Sequence, residues 1–285
     1  MQNQTTVLSA DLPAEKLDLF FELIDPDWNV TSYRDAETGG CRVQVFLDDA
    51  QNREDVRDAL VETAKILETD LSVEEFQIAR EDWSEAWKRF FHVERISEHL
   101  TVRPSWESYV PAEGERVIVV EPGMSFGTGK HPTTQGCLIY LDELAQLGTD
   151  GRTVRDMGCG TGILAIGAKL LGFADVRAFD IDPDCIQSTR ENAERNGLSI
   201  PVEIGDLSHP WEKTDIVVAN ILAPVLIEFA GQVTHSVRSQ GYLILSGILD
   251  SQYADVRTAY EACGAVEQST RLIGEWRTGL FQVQG

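Results

Sequence analysis

From residue 151 onward the sequence alternates between short apolar segments and amphipathic segments, and this alternation limits the fold more than any other feature. The predicted strands are TVRDM, DVRAFDID, PVEIGD, TDIVVAN and YLILSGI, and the first predicted helices are ILAIGAKLLG and PDCIQSTRENAERNG. Short strands separated by helices form right-handed crossovers, which give a parallel sheet covered on both faces. The last segment, AVEQSTRLIGEWRTGLFQVQ, is predicted to be a hairpin that completes this sheet.

The first of these strands runs into a glycine turn, DMGCGTG, at residues 156–162. Gly158, Gly160 and Gly162 allow the backbone to approach a ligand closely at the start of a helix. Their spacing is G-x-G-x-G, and dinucleotide-binding folds use G-x-G-x-x-G, so the sequence disfavours a dehydrogenase. The second strand ends at Asp180, which is placed to accept hydrogen bonds from ribose hydroxyls. Together these features predict a cofactor that contains adenosine.

The glycine spacing, with Gly205–Asp206 after the third strand, resembles class I S-adenosylmethionine methyltransferases. The resemblance implies a doubly wound, Rossmann-like α/β sheet that binds S-adenosyl-L-methionine. It further implies that Asp156 and Gly158 face the methionine part of the cofactor, Asp180 the ribose and Asp206 the adenine edge. For Asp206 an ordinary turn aspartate remains the alternative interpretation.

The fourth strand ends in DIVVANIL, which places Asn220 at the edge of the predicted cofactor site. A lysine amine has a pKa of about 10.4 and must lose a proton before its lone pair can attack a sulfonium methyl. An amide oxygen can accept the N–H bonds of the amine and orient its lone pair without adding charge. We therefore predict that Asn220 is catalytic and also contacts the cofactor carboxylate. The alternative is a turn-forming asparagine at a strand end.

Residues 121–134, EPGMSFGTGKHPTT, fail the P-loop pattern because Met124 and His131 occupy two of its four fixed positions. With DMGCGTGILAI, ENAERNG, DIVVANIL and LSGIL, this segment closely resembles the PrmA family, bacterial methyltransferases of large-subunit ribosomal protein eleven. The resemblance extends from about residue 81 to residue 285. The resemblance implies that the segment covers the bound cofactor, with Phe126, Thr128 and Thr134 lining the pocket and Thr134 at the methionine end. It also implies methylation of lysine or N-terminal amines of that ribosomal protein.

Two residues depart from the family pattern. Lys130 replaces the usual threonine and puts a cation on the segment over the cofactor. Arg155 replaces an aliphatic residue in the first, central strand, where a charge is costly unless it reaches a partner or the sheet edge.

Three regions are predicted along the chain. Residues 1–80 have the order β-α-β-β-α closed by EEFQIARED, which is typical of a small ferredoxin-like α+β domain, and they contain no catalytic cluster. In the family this domain selects the substrate. Residues 81–110 are predicted to be a linker helix and connector whose aromatic residues pack between domains, with a ligand platform as the alternative. Residues 111–285 are predicted to be the catalytic domain.

Composition restricts the partners. The formal net charge of −23 and the lack of a basic stripe disfavour direct contact with nucleic acid and are compatible with a basic protein substrate. No signal peptide or membrane-spanning run is present, so we expect a soluble, cytoplasmic protein, and we expect a monomer. The five cysteines lack C-x-x-C spacing and are predicted to be reduced thiols, without a metal site.

Other functions remain open at this level. One is a methyltransferase of a different protein lysine or of a small amine. Another is a binding protein that keeps the fold without catalysis, although Asp180, Asn220 and the covering segment are intact and favour an enzyme.

Overall fold

The computed structural model describes residues 4–24, 28–34, 41–47, 53–67, 69, 72–79, 91–121 and 127–284. The chain divides into two compact units, residues 1–90 and 91–285. The predicted connector therefore divides between them. Its aromatic segment at residues 81–90 lies outside the described residues, and residues 91–110 belong to the second unit.

The first unit is an antiparallel sheet with two helices. Its elements are β1 (Gln4–Leu12), α1 (Leu17–Leu23), β2 (Asn29–Arg34), β3 (Cys41–Phe46), α2 (Arg53–Ile66) and β4 (Glu74–Ala79). The strand order is β2-β3-β1-β4, and every neighbouring pair is antiparallel. This is the predicted ferredoxin-like order. One face of α2 is buried, because Val56 and Leu60 share a core with Phe20 and the sheet, and Ala64 is buried as well.

The second unit contains a seven-stranded sheet and a three-stranded sheet. Its elements are β5 (Glu94–Arg95), β6 (Leu100–Pro104), β7 (Arg116–Val120), α3 (Pro132–Gln146), β8 (Thr153–Met157), α4 (Ile163–Leu170), β9 (Asp175–Asp180), α5 (Pro183–Arg195), β10 (Val202–Ile204), β11 (Thr214–Asn220), α6 (Ala223–Glu228), α7 (Ala230–His235), β12 (Val237–Leu249), α8 (Tyr253–Ala262), β13 (Ala265–Ile273) and β14 (Trp276–Val283).

The seven-stranded sheet has the order β10-β9-β8-β11-β12-β14-β13. The first five strands are parallel, and β14 is antiparallel to both of its neighbours. Alternate residues of β11 enter two separate cores, Ile216 and Val218 on one face and Val217 and Ala219 on the other. The parallel sheet with both faces covered and the closing hairpin are thus confirmed.

The three-stranded sheet β5-β6-β7 was not predicted from the sequence. The helix predicted for EDWSEAWKRFFHVERIS does not extend into its described part, because Glu94–Arg95 form β5. Glu115 stabilises the long connection before β7, since its buried carboxylate accepts hydrogen bonds from Thr101, Tyr109 and the Ala112 N–H. Such long-range pairing leaves no periodic pattern in the sequence, which is why it was missed.

Arg155 lies in β8 with only 5% of its surface exposed. Its guanidinium carbon is 4.9 Å from the ring centre of Trp211, so the buried cation finds an aromatic partner. Burial lowers the pKa of Arg155.

No helix in the described part of the chain is long and apolar enough to cross a membrane.

Two buried tyrosines give a matched test of the core. Nothing in the described parts of the chain forms a hydrogen bond with the Tyr260 hydroxyl, whereas that of Tyr140 accepts one from Ser269 at 3.1 Å. We expect Tyr260→Phe to raise the free energy of unfolding by about 1 kcal/mol, because it removes an unsatisfied buried group. Tyr140→Phe should instead lower it by about 1 kcal/mol. Urea denaturation of both variants measures the difference, and a Tyr260→Phe protein as destabilised as Tyr140→Phe would contradict the prediction.

Candidate functional site

The glycine turn is tied to the end of the neighbouring strand. The carbonyl of Phe179 accepts the N–H groups of Gly158 at 2.9 Å and Cys159 at 3.1 Å. Gly158 and Gly160 have φ angles of 76° and 55°, in the left-handed region that favours glycine. A Cβ atom at Gly158 would also come within 2.6 Å of the Ile221 side chain. The turn therefore needs glycine for both its conformation and its packing.

Asp180 ends β9 and is 9% exposed. Its Oδ2 accepts a hydrogen bond from the Gly160 N–H at 2.9 Å, and its Oδ1 accepts one from the Asp182 N–H at 3.1 Å. A carboxylate has about four acceptor positions, so both oxygens retain capacity for hydroxyl donors. Asp180 can thus hold the turn and bind a ribose at the same time.

A pocket of about 570 Å³ opens at the carboxyl ends of the parallel strands. Ligands bind at this position in doubly wound sheets, and the volume is in the range of cofactor pockets. The pocket includes six of the predicted site residues: Thr134, Gly158, Gly160, Asp180, Asp206 and Asn220. The remaining wall is mostly apolar: Gly127, His131, Thr133, Cys159, Ile163, Leu164, Phe179, Ile181, Cys185, Leu207, Ile221, Leu222, Val225, Phe229, Gly247 and Trp276.

Asp156 is not on the pocket wall. It is fully buried in β8 beneath the turn, where Oδ2 accepts the Ala165 N–H of α4 at 3.1 Å. Its Oδ1 has no hydrogen-bond partner within the described residues. Burial raises the pKa of Asp156 to about 7, and the negative charge of Asp180 acts in the same direction. Its predicted contact with the methionine part of the cofactor remains a prediction.

The structure describes one of the other two residues predicted on the covering segment. Thr128 lines a separate, smaller pocket of about 90 Å³, together with Lys130 and His92. Phe126 lies outside the described residues. The part of the segment that is described lies against the glycine turn, because the Thr161 hydroxyl donates a hydrogen bond to the carbonyl of Gly127.

Asp206 has a local role as well as a place on the pocket wall. Its Oδ1 accepts hydrogen bonds from the N–H of Ser208 at 2.7 Å and from its hydroxyl at 2.5 Å. These bonds lower the pKa of Asp206. Asp206 is therefore a turn aspartate that also lines the pocket.

Asn220 is held by one weak side-chain contact. Its Nδ2 donates to the hydroxyl of Thr134 at 3.5 Å, in the first turn of α3. No described residue donates a hydrogen bond to its buried Oδ1. A buried amide oxygen without a donor is costly, so a ligand that supplies an N–H bond here would satisfy it.

Most of the apolar wall was not predicted from the sequence. Ile181 and Leu222 are 72% and 69% exposed, and each follows closely on a predicted strand end, so their positions could have been identified. The position of Trp276 could not have been identified from the sequence, because this residue reaches the pocket only through the antiparallel pairing of β14 with β12. Its ring lies 5.0 Å from that of His131, which caps α3.

The site suits an organic cofactor that contains adenosine. It combines a carboxylate for ribose, a glycine turn at the start of α4 and apolar walls for a base. No cluster of three or more potential metal ligands occurs among the residues that the structure describes.

A family model and several known proteins match most of this chain. The family model of ribosomal protein L11 methyltransferase (PrmA) matches residues 14–283. The ribosomal protein L11 methyltransferase of Desulforamulus reducens is 39% identical over 248 residues, which cover 85% of this chain and 80% of the relative. The ribosomal protein L11 methyltransferase of an Exiguobacterium species is 35% identical over 257 residues, which cover 87% of this chain and 81% of the relative.

A solved structure agrees with these matches. The crystal structure of ribosomal protein L11 methylase from Lactobacillus delbrueckii subsp. bulgaricus has a TM-score of 0.63 and 32% identity, and it covers 68% of this chain and 100% of that chain. The family match includes most of the first unit, whereas the motifs in the sequence begin only near residue 81.

The ribose assignment can be tested at Asp180. Asp180→Ala should weaken binding of S-adenosylhomocysteine by about 1.5–3 kcal/mol, because it removes a charged acceptor. Calorimetry measures the affinity.

Asp182→Ala is the matched control, since Asp182 caps α5 through the Asp184 N–H and is not on the pocket wall. It should cost about 1 kcal/mol of stability and leave affinity unchanged. Unchanged affinity in Asp180→Ala would contradict the assignment.

Proposed function

Because the chain belongs to the ribosomal protein L11 methyltransferase (PrmA) family, we propose that it methylates lysine and N-terminal amines of ribosomal protein L11. As a member of this family it is an S-adenosylmethionine-dependent protein methyltransferase. The observation that carries the proposal is one pocket that contains both the carboxylate of Asp180 and the amide oxygen of Asn220, to which no described residue donates a hydrogen bond.

Cofactor binding is assigned to the glycine turn and Asp180. The carboxylate of Asp180 accepts hydrogen bonds from the ribose hydroxyls, and the exposed side chain of Ile181 can pack against the base. S-adenosylmethionine, when bound, supplies an electrophilic methyl group on its sulfonium sulfur. Thr134 and Asn220 are assigned to the methionine end of the pocket, where the hydroxyl of Thr134 orients the amide.

Asn220 is proposed to orient the incoming amine. Its Oδ1 accepts an N–H bond of the neutral amine, which aims the nitrogen lone pair without stabilising the protonated form. Leu222, Phe229 and Trp276 line the same pocket. An apolar wall lowers the pKa of an amine that enters it, so more of the amine is in the reactive neutral form.

The first unit is proposed to recognise the substrate. Its described residues form a sheet with its own core and include none of those that line the cofactor pocket. The chain is strongly acidic, with a net charge of −23, which favours association with a basic ribosomal protein. We also propose that the protein acts as a monomer in the cytoplasm, without direct contact with nucleic acid.

The substrate is tested with radiolabelled S-adenosylmethionine. Isolated ribosomal protein L11 and a lysate of the source organism are incubated with the protein, and the labelled proteins are identified by mass spectrometry. We expect label on lysine or N-terminal amines of L11. Label on a different protein, with none on L11, would contradict the proposed substrate but would still support protein methylation.

The role of the first unit is tested with a fragment that begins at Glu81. We expect this fragment to bind S-adenosylhomocysteine with the affinity of the full chain, because every described residue of the pocket belongs to the second unit. It should lose methylation of the protein substrate. Methylation at the rate of the full chain would show that the first unit does not recognise the substrate.

The catalytic assignment is tested at Asn220. Asn220→Ala should lower the single-turnover rate constant at saturating cofactor on the order of 100-fold, because misorientation of a reacting group costs about this much. Affinity for S-adenosylhomocysteine should change less, since the contact matters most in the transition state. Asn220→Asp should also be slow, because a carboxylate favours the protonated amine.

The measurement is made across rising pH. If deprotonation of the amine were the only requirement, high pH would restore the rate of Asn220→Ala. A variant rate constant equal to that of the wild type would identify Asn220 as a turn-forming residue only.

A further inference from the structure

Trp211 lies outside the pocket lining but contacts two segments that form the pocket wall. Its ring is stacked on Phe179, with the ring centres 4.2 Å apart and the planes at 11°. Phe179 lines the pocket and is 2% exposed. Its carbonyl is also the acceptor that ties the glycine turn to β9. The indole therefore supports the residue on which both the turn and the wall depend.

The same indole fixes the segment after β10. Its Nε1 donates a hydrogen bond to the carbonyl of Asp206 at 2.9 Å. A Cβ atom at Gly205 would come within 2.6 Å of the ring, so the indole packs directly on this glycine. Asp206 and Leu207 line the pocket, and the Gly205 N–H donates to the carbonyl of Asp180 at 3.0 Å. The position of this segment is thus determined by the indole from one side and by β9 from the other.

Arg155 holds the indole in place. Its guanidinium lies over the ring at 4.9 Å, and its Nε has no hydrogen-bond partner within the described part of the protein. Cation–π attraction is stronger where the cation is desolvated, and Arg155 is 5% exposed. The edge of the His209 ring also contacts the indole, at 4.4 Å between ring centres. The indole is therefore restrained by contacts beyond those with the pocket wall.

We propose that Trp211, held by Arg155, is a positioning residue that determines recognition of the purine base of the cofactor. It sets the position of the Asp206–Leu207 segment relative to Phe179, and these residues form the wall next to the assigned ribose acceptor. The inference rests on the proposed cofactor site, because it concerns which part of the same ligand is recognised there. Trp211 acts through its neighbours and contacts neither the base nor the reacting atoms.

The test compares two probes that differ only in the base, S-adenosylhomocysteine and S-inosylhomocysteine. The wild type should prefer the adenine probe. Trp211→Phe keeps an aromatic ring and loses the N–H donor, so we expect about fivefold weaker binding of S-adenosylhomocysteine. Trp211→Leu loses the stacking as well, and we expect about 20-fold weaker binding. In both variants the preference for adenine over hypoxanthine should fall.

Arg155→Met provides a second, independent variant. It keeps an unbranched apolar side chain and removes the guanidinium over the indole, so the KM for the cofactor should rise about threefold. Its thermal stability should not fall, because the substitution removes a buried guanidinium whose Nε has no hydrogen-bond partner among the described residues. Trp106→Phe is the matched control, since Trp106 is half-buried and is not on the pocket wall, and it should change neither affinity nor preference.

The measurements are calorimetry with both probes and steady-state kinetics with varied cofactor. We expect kcat at saturating cofactor to stay within about twofold of the wild type, because residues that position the wall for the base affect cofactor binding and not the methyl-transfer step. Equal weakening of both probes, with the preference unchanged, would mean that Trp211 only supports the fold and would overturn the inference. If Trp211→Leu does not fold, Trp211→Phe and Arg155→Met decide the outcome. A wild type that binds neither probe would overturn the proposed cofactor site as well.

Discussion

The hydrogen bonds between the end of β9 and the glycine turn are the interaction on which the rest of the site depends. The carbonyl of Phe179 and the carboxylate of Asp180 accept three successive N–H groups, from Gly158, Cys159 and Gly160. Two parallel strands are thereby joined at their carboxyl ends, where helix α4 begins. Because a parallel sheet leaves its ligand site at this edge, the joint sets the position of the glycine turn and of Asp180 relative to the sheet.

The same joint explains the electrostatics beneath the site. Asp156 lies under the turn and Asp180 above it, and each is hydrogen-bonded to a backbone N–H, of Ala165 and Gly160 respectively. Burial raises the pKa of Asp156 to about 7, and the negative charge of Asp180 acts in the same direction. The more exposed carboxylate therefore remains the one suited to a ligand. Asp156 is better understood as a support of α4 than as part of the pocket wall.

The opposite side of the pocket is built from elements that are distant in sequence. Asn220 at the end of β11 contacts Thr134 at the start of α3, and the Ser246 hydroxyl of β12 donates to the carbonyl of Thr133. The neighbouring hydroxyl of Thr278, in β14, lies 2.6 Å from that of Ser246. Polar contacts in this dry environment have well-defined geometry, because no solvent competes for them. Asn220 is thus placed at the pocket by the end of β11, and its amide makes one weak contact with α3.

The local pattern of the sequence determined the fold class, the glycine turn and the carboxylate at the end of β9. These features depend on short-range periodicity and on backbone conformations that only glycine adopts without strain, and both are visible in a linear chain. The tertiary structure alone decided that Thr128 faces a different pocket, that Asp156 is buried beneath the turn, and that Trp276 reaches the site. It also decided that Arg155 stacks on an indole 56 residues away in sequence. Such contacts depend on how strands pair and which side chains meet across them, and no local pattern encodes that geometry.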